Sequence, residues 1–244
     1  MSKVKLFCLP YAGGSATIYN NWTRFLGPGV ELIPIELAGR GRRSGDPLYQ
    51  DVPEAVDDIY AKVVNQILDG QPYAFFGHSM GAMLAYEVIQ KIKRNHLPEP
   101  IHAFFSGRGA PHLKSNREKM YHELNNDDFK KEIMNLGGTP KEFFDYPELL
   151  DYLLPILKND FKISETNVLN EKITPLNCEI TAFIGKEEDQ IQPENAQGWM
   201  HHTSKLCSIY FFNGGHFFIN DQYEKMTDII SKQLVSKAKF QRVL

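Results

Sequence analysis

Short runs of consecutive apolar residues alternate along this chain with stretches whose apolar positions recur every three or four residues. VKLFCLP (4–10), VELIPIEL (30–37), YAFFG (73–77), IHAFFSG (101–107), EITAFIG (179–185) and KLCSIYFF (205–212) have strand length and little polar alternation. Such runs read as strands buried on both faces. Ile18, Trp22, Phe25 and Leu26 share one helical face between the first two strands. Val52, Val56, Ile59, Val63 and Ile67 do the same before the third, with Pro53, Glu54, Asp57 and Asp58 early, where proline and negative charge suit a helix start. A helix is also expected across 194–203. A last one is marked by Tyr223, Met226, Ile229, Ile230 and Leu234, and KAKFQRVL (237–244) reads as a loosely held tail. Strands separated by helices imply βαβ crossovers and a mainly parallel sheet flanked by helices.

Residues 112–165 break this rhythm. They hold several amphipathic helical segments and no strand, and Met120, Leu124, Phe129, Ile133, Met134, Leu149, Leu150, Leu153, Leu154 and Leu157 give them more apolar surface than small helices bury against one another. The expectation is a helical lid insertion over an apolar channel, within a single α/β domain spanning 1–244.

Composition narrows the function classes. The chain has 244 residues, 42% hydrophobic and 23% charged, which is ordinary globular usage. A formal net charge of -3 supplies no broad cationic field, so nucleic acid is not an expected partner. The first apolar run has the length of a strand rather than of a signal peptide, and no stretch reaches bilayer-spanning length, so a cytoplasmic protein without membrane association is expected. Cys8, Cys178 and Cys207 lack CxxC spacing and suggest neither a disulfide framework nor a zinc site.

The candidate chemistry lies where strands end. FFGHSMGAM (75–83) carries Gly77, Ser79 and Gly81 as G-x-S-x-G, a pattern that chance supplies in roughly one chain in ten of this length. Its context is what counts: a strand runs into it and a helix leaves it, as a nucleophile elbow requires. A serine hydroxyl needs a base, and of eight histidines His216 alone stands in a loop directly after the last strand, in FFNGGHFF. His78 adjoins the serine, but an elbow would point it away, so packing is its expected role. The acid that orients the imidazole is sought in FIGKEEDQIQP, where spacing leaves Glu187, Glu188 and Asp189 open. The oxyanion donors expected are the amide of Met80 and, from LPYAGGSA, that of Tyr11 or Ala12. Arg40, Arg42 and Arg43 cluster in ELAGRGRRSG, either as solvated charge or as a contact for an acidic or phosphate-bearing partner; the glycines there do not match GxGxxG.

Taken together, LFCLPYAGGSA, IELAGRGRR, FFGHSMGAMLAYE and FNGGHFF resemble the type II thioesterases of nonribosomal peptide and polyketide synthesis, a branch of the α/β-hydrolases, over nearly the whole chain. The resemblance implies an α/β-hydrolase fold and a Ser-His-Asp triad of Ser79, His216 and Asp189, the acid standing four residues after the glycine that ends its strand. Ala38 departs from the proline usual in the arginine loop. The implied reaction is hydrolysis of acyl thioesters from the phosphopantetheine arm of acyl- or peptidyl-carrier protein domains. It needs no metal and no cofactor beyond the pantetheine that the partner brings. A monomer is expected, with Arg40, Arg42, Arg43, Lys114, Arg117 and Lys119 as candidate docking charges. The competing readings are a free-standing esterase or acyltransferase, and a carrier-docking module without turnover.

Overall fold

The computed structural model describes residues 3–113, 119–138, 146–166, 173–189 and 191–240. Six strands, β1 (Val4–Leu9), β2 (Val30–Pro34), β3 (Tyr73–His78), β4 (His102–Ser106), β5 (Glu179–Gly185) and β6 (Cys207–Phe212), form one sheet in the order β2-β1-β3-β4-β5-β6. Every neighbouring pair is parallel. Alternation along the strands explains the apolar runs. Phe7, Phe75 and Phe105 pack against α1 (Val52–Ile67) and α2 (Met80–Arg94) on one face. Leu6, Phe76, Phe104 and Phe183 pack against α6 (Ile219–Phe240) on the other. Both faces are covered, so neither tolerates polar alternation. This is the α/β-hydrolase arrangement, and among the described residues no helix is long and apolar enough to cross a membrane.

The chain leaves β1 toward β2 on one side and returns to β3 on the other, so the strand order reverses between β1 and β3. Ligands on open α/β sheets bind in the crevice at such a switch, beyond the carboxyl ends of the strands. The YAGG loop follows β1 and Ser79 follows β3, which puts both at that crevice.

Asp51 caps α1 by accepting from the Glu54 amide, with Pro53 in the first turn, as the early proline and acidic residues predict. The segment before β2 differs from its predicted helical face. Ala16–Arg24 is a 3-10 helix, and Tyr19 and Trp22, one three-residue turn apart, are the buried pair, while Phe25 is exposed. The 194–203 segment divides into α5 (Pro193–Gln197) and a 3-10 turn, Gly198–His202. The last helix runs on to Phe240, past the point where a loose tail was expected.

Between β4 and β5 the described residues contain a 3-10 turn (Tyr121–Glu123), α3 (Asn126–Leu136) and α4 (Pro147–Glu165). Phe129, Ile133, Leu154 and Leu157 form a small core of their own. Met134, Leu149 and Tyr152 stay exposed.

Candidate active site

The elbow is built by close backbone approach. A Cβ on Gly77 would lie 2.1 Å from the Gly81 carbonyl oxygen, and one on Gly81 would lie 2.2 Å from the Leu9 carbonyl oxygen. The two glycines therefore let strand, helix and the end of β1 interlock at distances that admit no side chain. Between them Ser79 adopts φ 55°, ψ -114°, a conformation that an L-residue holds only when its surroundings impose it. Its amide donates to the Ser106 carbonyl at 2.7 Å, tying the elbow to β4.

Ser79 Oγ lies 2.9 Å from His216 Nε2. The histidine comes from the loop after β6, which folds back over the end of β5. Gly214 has φ 109°, and a Cβ on Gly185 would lie 2.7 Å from the carbonyls of both Gly214 and Gly215. On its far side His216 Nδ1 lies 2.5 Å from Glu188 Oε1. The Glu188 side chain is almost fully buried, whereas Asp189 is exposed.

This corrects the expectation of Asp189. After Gly185 the chain makes a tight turn, with the Lys186 amide on Phe212 O, the Glu187 amide on Gly214 O and the Glu188 amide on Gly185 O. The turn aims the third residue inward and the fourth outward. A glutamate, one methylene longer than aspartate, spans the remaining gap to the imidazole.

His78 lies on the other side of the elbow. Its Nδ1 pairs with Ser106 Oγ at 2.8 Å, and its ring packs 5.2 Å from that of His216. Burial, and then the neighbouring His216, push its pKa well below the usual histidine value, which favours the neutral ring, and its bond to Ser106 turns it away from Ser79.

The Met80 amide is the first of α2 and has no intrahelical acceptor. The facing loop has two of its amides committed: Gly13 donates to Asp160 Oδ2 at 2.7 Å and Gly14 to the Tyr11 carbonyl at 2.9 Å. Tyr11 and Ala12 remain its candidates, and both border the same cleft as Ser79 and His216. That cleft encloses about 570 Å³, its open mouth included, and its other wall is apolar: Ile133, Leu136, Leu157 and Phe161 from α3 and α4. Gly138 presses on Phe217, next to His216, so closely that a Cβ would meet the ring at 2.0 Å.

The arginine loop also departs from expectation. Arg40 is 4% exposed and makes a bidentate pair with Asp160, at 2.5 and 2.7 Å. Burial opposes its charge, but Asp160 outweighs that and raises its pKa. Arg43 binds Asp58 and Asp46. Both are structural ties, and Arg42 alone of the three is exposed. Lys114 and Arg117 lie outside the described residues, and Lys119 pairs with Glu132. The signal for Asp160 in the sequence is an aspartate three residues after Leu157, on the apolar face of a helix.

Residues 4–234 match the family described as thioesterase domain. A curated relative named linear gramicidin dehydrogenase LgrE, from Brevibacillus parabrevis, is 35% identical over 238 residues, spanning 96% of this chain and 89% of that protein. Thioesterase PikA5 of Streptomyces venezuelae is 34% identical over 234 residues, spanning 96% and 82%. Among solved structures, ClbQ from the colibactin NRPS/PKS pathway superimposes with a TM-score of 0.91 at 34% identity, covering 96% of this chain and 98% of that one.

Proposed function

Because the chain belongs to the thioesterase family, we propose that it is a type II thioesterase, hydrolysing acyl thioesters from the phosphopantetheine arm of carrier-protein domains in nonribosomal peptide or polyketide synthesis. The observation that carries this reading is the continuous relay from Ser79 Oγ through His216 to Glu188 at the mouth of an apolar cleft. His216 takes the serine proton as Oγ attacks the thioester carbonyl. The oxyanion of the tetrahedral intermediate falls to the Met80 amide and to that of Tyr11 or Ala12. His216 then protonates the leaving pantetheine thiol. It next takes a proton from the water that attacks the acyl-enzyme, and returns it to Ser79 on collapse. Glu188 holds the imidazole in the tautomer that presents Nε2 to the serine.

Within the expected 112–165 insertion, α3 and α4 act as the lid and supply the wall that receives the acyl chain. Arg42 is the arginine of its loop that remains for an acidic carrier surface. The three free thiols suit the cytoplasm, where carrier domains are loaded. One relative bears the name of a dehydrogenase, but Gly39, Gly41 and Gly45 do not follow the dinucleotide-binding spacing.

The test is a panel of acyl-loaded carrier proteins set beside acyl-pantetheine and simple oxygen esters, with Ser79→Ala as control. Preferential release from the carrier, abolished in the variant, is expected. Turnover surviving in Ser79→Ala would overturn the mechanism, and equal turnover of simple esters would overturn the carrier assignment.

A further inference from the structure

One carboxylate on the insertion reaches into the catalytic loop. Asp160, on α4, is 1% exposed and accepts from the Gly13 amide and from both terminal nitrogens of Arg40. Arg40 in turn donates to the carbonyls of Gly14 and Ala38, each at 3.2 Å. The same loop is pressed against the helix. Gly13 has φ +77°, and a Cβ there would lie 2.4 Å from Leu157 Cδ2, one turn before Asp160. A helix of the insertion thus fixes, by a charge-assisted bond and by contact, the residues immediately after Tyr11 and Ala12.

We infer that Asp160 is a positioning residue for the oxyanion hole, so that the hole is complete only while α4 is seated on the loop. The inference rests on the proposed reaction. Stability is a poor reason for a buried pair, since apolar replacements of similar volume often fold as well. An apolar replacement, however, cannot accept the Gly13 amide. The pair gives the loop one fixed geometry, and catalysis by preformed donors depends on placement to within about an ångström.

The test compares Asp160→Asn and the double variant Arg40→Met/Asp160→Leu with the parent. It uses an acyl N-acetylcysteamine thioester as substrate and the matching acyl trifluoromethyl ketone, whose adduct with Ser79 carries an oxyanion. The double variant is expected to lose roughly 10- to 100-fold in kcat with KM within about twofold, and to bind the ketone more weakly by a similar factor, and Asp160→Asn, whose amide oxygen can still accept from Gly13, to lose less. The double variant is expected to melt near the parent temperature. If Asp160→Asn fails to fold, the double variant carries the test. A folded double variant with parental kcat would overturn the inference, as would a loss confined to KM. A parent enzyme whose ketone binding is unchanged by Ser79→Ala would instead overturn the reading of the site itself.

Discussion

Glu188 Oε1 sits 2.5 Å from His216 Nδ1, while the carboxylate of Asp189, next in the chain, faces solvent. The carboxylate set against the imidazole is therefore fixed by the turn after β5 rather than by which acid has the more familiar side chain. Glu188→Gln, which holds the wrong tautomer, is expected to lower kcat by about 10³- to 10⁴-fold. Asp189→Asn should stay within about twofold of the parent, as surface substitutions do. Steady-state hydrolysis of an acyl thioester by the two variants separates them, and the reverse ranking would return Asp189 to the triad.

The glycines of the elbow make a prediction about stability. Gly81→Ala sets a methyl group against the Leu9 and Pro10 carbonyls, rigid backbone that must move, and is expected to cost about 3 kcal/mol in urea unfolding. Gly45 offers the contrast. A Cβ there meets nothing within 4 Å, so Gly45→Ala should change stability by no more than about 0.5 kcal/mol.

The cleft wall predicts selectivity. Ile133 borders the cleft from α3, and Ile133→Trp fills space that an acyl chain would occupy. Each methylene kept out of the apolar cleft should cost about 0.8 kcal/mol, roughly fourfold in kcat/KM. Across a series of acyl lengths, the variant is expected to hold its rate on the shortest substrates and fall progressively behind on longer ones. A uniform loss at every length would place the chain elsewhere.

A buried polar chain away from the site predicts the acid limb of stability. His202 Nδ1 meets Tyr86 Oη at 2.8 Å and its Nε2 meets His112 Nδ1 at 2.7 Å. Burial, then His112 and His201, push the His202 pKa down to about 4. The unfolded chain, with histidine near about 6.5, binds more protons than the fold between these values. The stabilisation is thus complete above about 6.5 and is lost as pH falls toward about 4. Buried His78 acts in the same direction. Melting temperatures between these pH values should fall less steeply in His202→Gln than in the parent, yet still fall. Identical slopes would exclude His202 as a contributor.

How much the sequence disclosed follows from how local each cause is. Strands covered on both faces announce themselves as apolar runs, and β5 begins and ends where EITAFIG does. The meeting of Ser79 and His216 was legible because each occupies a fixed place relative to a strand end. Glu188 was not, because three acids share one loop and only the path of the backbone after Gly185 selects among them. Arg40 resembled a surface charge because its partner lies 120 residues away, on a helix whose docking no local pattern encodes. Tyr19 is hidden from the helical pattern for a different reason, since a three-residue turn buries other positions than a 3.6-residue turn does.

The sheet order gives the site a history as well as a shape. Ser79 follows β3 and His216 follows β6, three strands and about 14 Å across the sheet. They meet, 137 positions apart in sequence, only because the chain between them has already been put in place. No hairpin or fragment can bring the two together, so reactivity of Ser79 is expected to arise late, after β4 and β5 have filled the gap. A fluorophosphonate added at intervals during refolding would read Ser79 as a clock for completion of the sheet. Its signal should lag the recovery of helical circular dichroism.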